Sequence, residues 1–195
     1  MKINFSENAW NMDDITYAYS YRFEETPDFE QHSDHVVNRK ISDKDYDYEN
    51  VTVLTKKQYA HKTRVTTRCA FEGLGAPLIT IADKMFTDNR GVVRYGEYIE
   101  VVLYKNGVNV WRMWMRDGKV TWKNLLRAQF PMSEGDIHTL TVDIEEDTLK
   151  IEADEHKLQL LVDNLYTSYH LGINACEGVS RFYDLEIDGN MVEKF

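Results

Sequence analysis

From about residue 51 onward, apolar side chains recur at every second position in a series of short runs. A period of two puts alternate side chains on opposite faces of an extended chain, so each run reads as a half-buried β-strand. In 63–71, Val65, Cys69 and Phe71 share a face and Arg64, Thr66 and Arg68 take the other. In 139–144, Leu140, Val142 and Ile144 alternate with Thr139, Thr141 and Asp143. In 148–154, Leu149, Ile151 and Ala153 alternate with Thr148, Lys150 and Glu152, after a tight turn at Glu145-Glu146-Asp147. In 169–175, Leu171, Ile173 and Ala175 alternate with His170, Gly172 and Asn174. In 181–187, Arg181, Tyr183, Leu185 and Ile187 alternate with Phe182, Asp184 and Glu186. No helix-length amphipathic pattern competes; 121–129 and 155–166 have room for a helical turn or two. Many short strands separated by turns predict an all-β antiparallel sandwich or barrel.

A chain of 195 residues is long enough to bury a sizeable core without staples. No Gly/Ser/Pro-rich linker divides it, so one β-sandwich domain over 1–195 is expected. Residues 24–50 are its most polar stretch, with Asp28, Glu30, Asp34, Asp43, Asp45, Asp47 and Glu49. They are expected to form a loop-rich surface excursion ahead of the regular sheet.

The strongest local signal lies in 97–115, where two strand-like runs flank Asn106-Gly107, the preferred centre of a type I′ hairpin. With those two residues as the turn, Tyr104 faces Asn109, Val102 faces Trp111 and Glu100 faces Met113. One face then carries Tyr98, Glu100, Val102, Tyr104, Asn109, Trp111 and Met113. The other carries Ile99, Val101, Leu103, Val110, Arg112 and Trp114, and near the turn it has the character of a core. The first face mixes aromatic rings with a carboxylate and an amide, the mixture a sugar needs for its apolar ring face and its hydroxyls. Tyr98, Glu100, Tyr104, Asn109 and Trp111 are therefore candidate ligand residues; an amphipathic strand pair covered by loops is the plainer alternative. His170 and Asn174 lie opposite the apolar face of their strand and could join the same surface. Arg112 would join it if the turn held three residues.

A net charge of −10 argues against nucleic acid and against an anionic membrane surface. Cys69 and Cys176 sit in apolar runs with no C-x-x-C pair, and two buried free thiols are the simpler reading. Met1–Glu7 lacks the apolar core of a signal peptide and no apolar run reaches about 20 residues, so a cytoplasmic location is expected. Phosphate-binding Gly loops, H-E-x-x-H and zinc spacings are missing, and Asp83–Asn89 is only a weak match to a calcium loop. No metal site or cofactor is assigned; a structural calcium stays open.

Three stretches carry a family resemblance: Gly96–Trp111, His138–Ile144, and Leu171–Gly178 followed by Arg181–Ile187. In their order, with a His-Thr-Leu-x-Val strand and a closing Phe-x-Asp-x-x-Ile strand, they resemble the concanavalin A-like lectin/glucanase superfamily, in its laminin-G-like and keto-disaccharide-hydrolase-like branches. The resemblance covers roughly residues 50–190. It implies a two-sheet jelly-roll β-sandwich with one concave sheet, often used for carbohydrate. It does not imply catalysis: the glucanase strand Glu-x-Asp-x-Glu or Glu-x-Asp-x-x-Glu has no match here. Expected first is a carbohydrate- or glycoside-binding module; next, a glycoside-cleaving enzyme or its accessory subunit, with Glu100 and His170 as acid or base. A structural or assembly domain without a small ligand, present as a homo-oligomer, is the third expectation.

Overall fold

The computed structural model describes residues 1–20, 28–44, 47–116 and 119–192. Residues 24–27, 45 and 46 of the polar stretch, Asp45 among them, lie outside the described residues. The described strands form two large antiparallel sheets packed face to face. The back sheet runs β16 (His156–Leu161), β15 (Thr148–Ala153), β14 (His138–Ile144), β7 (Thr63–Glu72), β18 (Val179–Phe182), β4 (Val36–Val37), β3 (Glu30–Gln31). Its β7 also pairs with β19 (Asp184–Asp188), which takes β1 (Lys2–Asn4) at its far side. The site sheet runs β13 (Lys119–Gln129), β12 (Gly107–Arg116), β11 (Tyr98–Tyr104), β8 (Leu78–Ala82), β17 (Ser168–Ala175), β5 (Val51–Thr55), β2 (Ile15–Tyr17), with β6 (Tyr59–Ala60) on the start of β17. A separate hairpin, β9 (Met85–Thr87) and β10 (Val93–Tyr95), forms a flap. Neighbours in both sheets come from distant parts of the chain, as the crossing connections of a jelly roll require.

The main core lies between the sheets. Val65, Phe71, Leu140, Val142, Ile151 and Leu185 of the back sheet meet Ile79, Ile81, Ile99, Val101, Val110 and Ile173 of the site sheet. These are the alternate apolar positions of their strands, and burying them is the principal favourable term of folding. A second, smaller apolar cluster sits on the outer face of the site sheet: Leu54, Ala82, Tyr98 and Met113 below, Ala18 and Tyr95 above. The flap and the segment around Ala18 thus cover part of that sheet. β5, β8 and β17 are buried almost throughout because both of their faces are covered.

Three stretches depart from the sequence pattern, two of them for the same physical reason. In 181–187 the strand is broken at Tyr183. Phe182 pairs with Cys69 and Glu186 with Thr66, so four steps on one strand match three on β7. The extra residue is a β-bulge and switches faces: Phe182 and Leu185 are both fully buried, while Arg181 and Tyr183 are not. In 121–129 there is strand, not a helical turn. Val110 pairs with Leu126 but Trp111 with Asn124, leaving Leu125 as the extra residue of a second bulge. The apolar spacing of Trp122, Leu125 and Leu126 imitates a helical period for that reason. Residues 156–161 are also strand, with His156, Leu158 and Leu160 half-buried and Lys157, Gln159 and Leu161 exposed. β13 and β16 are the edge strands at this side of the sandwich, and Lys119, Lys123 and Arg127 are exposed along β13.

Candidate functional site

The hairpin that frames the site turns at Lys105-Asn106 rather than Asn106-Gly107. Tyr104 pairs with Gly107, Val102 with Asn109, Glu100 with Trp111 and Tyr98 with Met113. Neither turn residue takes a positive φ; Gly107 does, at 122°. A Cβ there would fall 2.2 Å from the Ala128 carbonyl oxygen of β13, so glycine is required by the neighbouring strand. The register differs by two from the one expected. An even shift preserves faces, so the face composition is as read from the sequence.

That outer face opens into a pocket of about 410 Å³. Glu100, Tyr104, Asn109 and Trp111 line it, together with Leu78, Trp122 and Val102. Glu100 is 5% exposed, at the floor, directly across the ladder from Trp111. Asn109 Oδ1 is enclosed and has no hydrogen-bond donor. Trp122 sits beside Met113 across the next ladder and packs edge-on against Tyr98 at 5.9 Å, which in turn packs edge-on against Tyr95 at 4.9 Å.

The opposite wall is built by two loops locked together. Gly73–Ala76 lies against Cys176, Glu177 and Gly178, with Ala76 N–H donating to the Cys176 carbonyl at 3.0 Å and to Ser180 Oγ at 3.1 Å. A Cβ on Gly75 would stand 1.8 Å from the Val179 carbonyl oxygen, and one on Gly178 2.2 Å from Gly75 N. Cys69 is buried, whereas Cys176 is half-buried at the pocket wall, so only one of the two thiols is enclosed. The sequence did not mark Trp122, Glu177 or the glycine loop as site residues. Their contribution depends on which loops meet, and periodicity carries no signal for that.

Four candidates lie outside the pocket lining. Tyr98 is fully buried in the smaller apolar cluster and supports Trp122 from behind. Asn174 is fully buried and donates from Nδ2 to Asn50 Oδ1 at 3.3 Å. His170 is 7% exposed, and its Nδ1–H donates to the Thr55 carbonyl at 2.7 Å. Both share the pocket's face, but the flap and the segments beside it cover their part of the sheet. Arg112 is on the other face: its guanidinium donates to the Asp163 and Asn164 carbonyls at 2.7 and 3.1 Å and lies over the Tyr166 ring.

The flap is fixed by polar contacts. Asp88 accepts from Arg90 N–H at 2.9 Å, Val92 N–H at 3.0 Å and Arg94 Nε at 3.2 Å. The Val92 amide first, then the Arg90 amide and the Arg94 guanidinium, bring its carboxyl down to about 2. The contribution of Asp88 to stability is therefore present above the ordinary carboxylate range and lost as pH falls through about 2. Arg94 also donates to the Ser20 carbonyl, and Tyr95 Oη meets Thr52 Oγ1 at 3.3 Å.

Asp83 at the base of the flap is the opposite case. Its Oδ1 is enclosed without a partner, and burial raises its carboxyl above the usual range. Its folded-state value lies above its unfolded one, so the ionised group costs stability at neutral pH and nothing once both states are protonated. Asp83→Asn is expected to raise Tm near neutral pH and to leave it unchanged at about pH 3. Thermal melts at the two pH values check this.

Among the described residues, no group of three or more His, Cys, Asp or Glu is arranged to hold a metal ion. Asp83–Asn89 forms no ion loop: Asp88 spends its oxygens on the flap's own amides and Arg94.

No protein-family model matches the chain, and no curated protein matches it in sequence. Solved structures match in fold. A carbohydrate-binding module, CBM66, from Bacillus subtilis aligns over 92% of this chain and 98% of its own, with a TM-score of 0.61 and 14% identity. A glycoside hydrolase family 16 endo-glucanase from Bacteroides ovatus aligns over 96% and 99%, with a TM-score of 0.66 and 12% identity. The Bacillus licheniformis β-glucanase aligns over 100% and 98%, with a TM-score of 0.59 and 11% identity. At such identities the likeness is one of architecture. The chain has the concanavalin A-like jelly-roll β-sandwich fold that these proteins share.

Proposed function

We propose that the pocket binds a saccharide and performs no chemistry on it. One juxtaposition carries this reading: two indole rings, Trp111 and Trp122, stand in one pocket with the buried carboxylate of Glu100 and the amide of Asn109. A sugar ring has an apolar C–H face and a rim of hydroxyls. An indole covers the face, while Glu100 and Asn109 offer acceptors for the hydroxyls. The pocket lies within the size range of small-molecule sites, about 300–1,000 Å³. The names of the structural neighbours, a carbohydrate-binding module and glucanases, point to the same chemical class by analogy.

Cleavage is the second reading, because Glu100 is a buried carboxylate beside an indole. Glycoside hydrolysis ordinarily needs two carboxylates opposed across the bond. Among the described residues, the other lining carboxylate is Glu177, which is exposed at the rim, on the loop wall. Binding is therefore the better supported role.

The test is a thermal-shift and titration screen against mono-, oligo- and aryl-glycosides. A sugar that binds is expected to lose at least tenfold in affinity in Trp111→Ala, about 1.4 kcal/mol. Trp114→Ala, on the opposite face, should leave the affinity unchanged. An undiminished affinity in Trp111→Ala would remove the pocket from consideration. Turnover of an activated glycoside that is lost in Glu100→Gln would replace the binding role with a catalytic one.

A further inference from the structure

Among the described residues, the pocket on the outer face of the site sheet runs from Trp122 of β13 across Trp111 and Asn109 of β12 and Glu100 and Val102 of β11 to Leu78 at the start of β8, and the rest of that face over β8, β17 and β5 is closed. Thr80, Asn174 and Leu54 are fully buried there and Thr52 is 2% exposed, although all four point away from the main core. What covers them is held in place. Tyr95 and Ala18 close the smaller apolar cluster over Leu54 and Ala82, and Arg94 ties the flap to Ser20. Beside this cover stand the interlocked Gly73–Ala76 and Cys176–Gly178 loops, where backbones approach too closely to admit a Cβ. A ligand that crosses Trp122 and Trp111 thus reaches Glu100 and then meets a wall. The path across the strands is a blind pocket, not a through-groove.

On the saccharide reading above, the geometry points to a site that takes the end of a sugar chain, not an internal stretch of one. A through-groove adds contacts with each further sugar residue. A blind pocket seats the terminal one or two residues, and the remainder leaves over β13 into solvent. The class of ligand is therefore a chain terminus or a short glycoside, and its number of binding sites follows the number of ends.

The probes are homo-oligosaccharides of glucose, galactose, mannose, xylose and fructose with one to eight residues, and the parent polymers. Binding is measured by titration calorimetry on the full chain, with Trp111→Ala as the control that locates it. For the series that binds, affinity is expected to level off by the second or third residue. Capping the terminal residue by methylation is expected to lower it tenfold or more. Partial hydrolysis of the polymer at constant mass should increase its binding capacity in proportion to the ends created. Affinity that keeps rising to the octamer, with capacity set by polymer mass and indifferent to capping, would overturn the inference while leaving saccharide binding intact. No binding by any series would instead overturn the saccharide reading, and this inference with it.

Discussion

Gly172→Ala is expected to be the most damaging single-methyl change in the site sheet. A Cβ at this position would lie 1.8 Å from the Val53 carbonyl oxygen, 2.8 Å from its carbon and 2.9 Å from Leu54 Cα. None of these atoms belongs to a side chain that can turn aside. β17 and β5 are paired through this point, Gly172 with Leu54, so the added methyl has to push these inner strands away from each other. Overpacking a core typically costs about 1–3 kcal/mol where side chains can yield. Here backbone has to move, and about 3 kcal/mol or more is expected, a fall in Tm of roughly 6–12 °C for a domain of this size. Gly73→Ala is the matched control. It has a positive φ of 60° but nothing within 4 Å of the added Cβ, so a loss of only about 1 kcal/mol is expected. Thermal or denaturant melts of the two variants side by side check the difference. Equal, small losses would contradict the pairing of β5 with β17.

Phe182→Ala is expected to cost about 3–5 kcal/mol, the usual range for removing a buried phenyl ring. The ring is fully buried and meets Phe29 edge-on at 5.9 Å. Its neighbour Arg181 holds an ion pair with Glu72 at 2.6 Å at the surface, and Arg181→Ala should cost under about 1 kcal/mol. An uninterrupted strand over 181–187 would put Phe182 with Asp184 and Glu186 on its polar face and reverse that order. The pair of melts is thus a direct reading of the bulge at Tyr183.

The two predictions also mark where the sequence was legible. Runs such as 139–144 and 148–154 have no bulge, and their apolar faces are the buried faces, since strict alternation has one structural solution when one side is a core. The hairpin face was legible for a related reason. The turn moved by one residue at each side, which changes cross-strand partners but leaves Glu100, Asn109 and Trp111 together. What stayed hidden were events that alter parity or cover a face. One extra residue at Tyr183 and another at Leu125 swap inside for outside without any local composition cue. Asn174 is covered by Tyr95 of the flap, and His170 bonds the Thr55 carbonyl beside Lys84 and Met85; all are far away in sequence, and no pattern within 169–175 encodes them. Gly172 looked like a neutral member of a polar face, whereas its role is set by the backbone of a strand more than a hundred residues earlier.

The exposed length of β13 has a bearing on how copies of the chain behave in concentrated solution. Among the described residues no strand pairs with the outer side of this 11-residue strand, and such an edge is the template on which sheets of separate molecules join into fibres. Along this edge stand Lys119, Lys123 and Arg127, and the bulge at Leu125 interrupts its ladder. Two copies meeting edge to edge would have to bring these cations together and desolvate them beside a strand that is no longer regular. The strand that borders the pocket's open side is thereby also the one that discourages fibrillar association, and replacing its three cations with threonine would convert a colloidally guarded margin into an adhesive one.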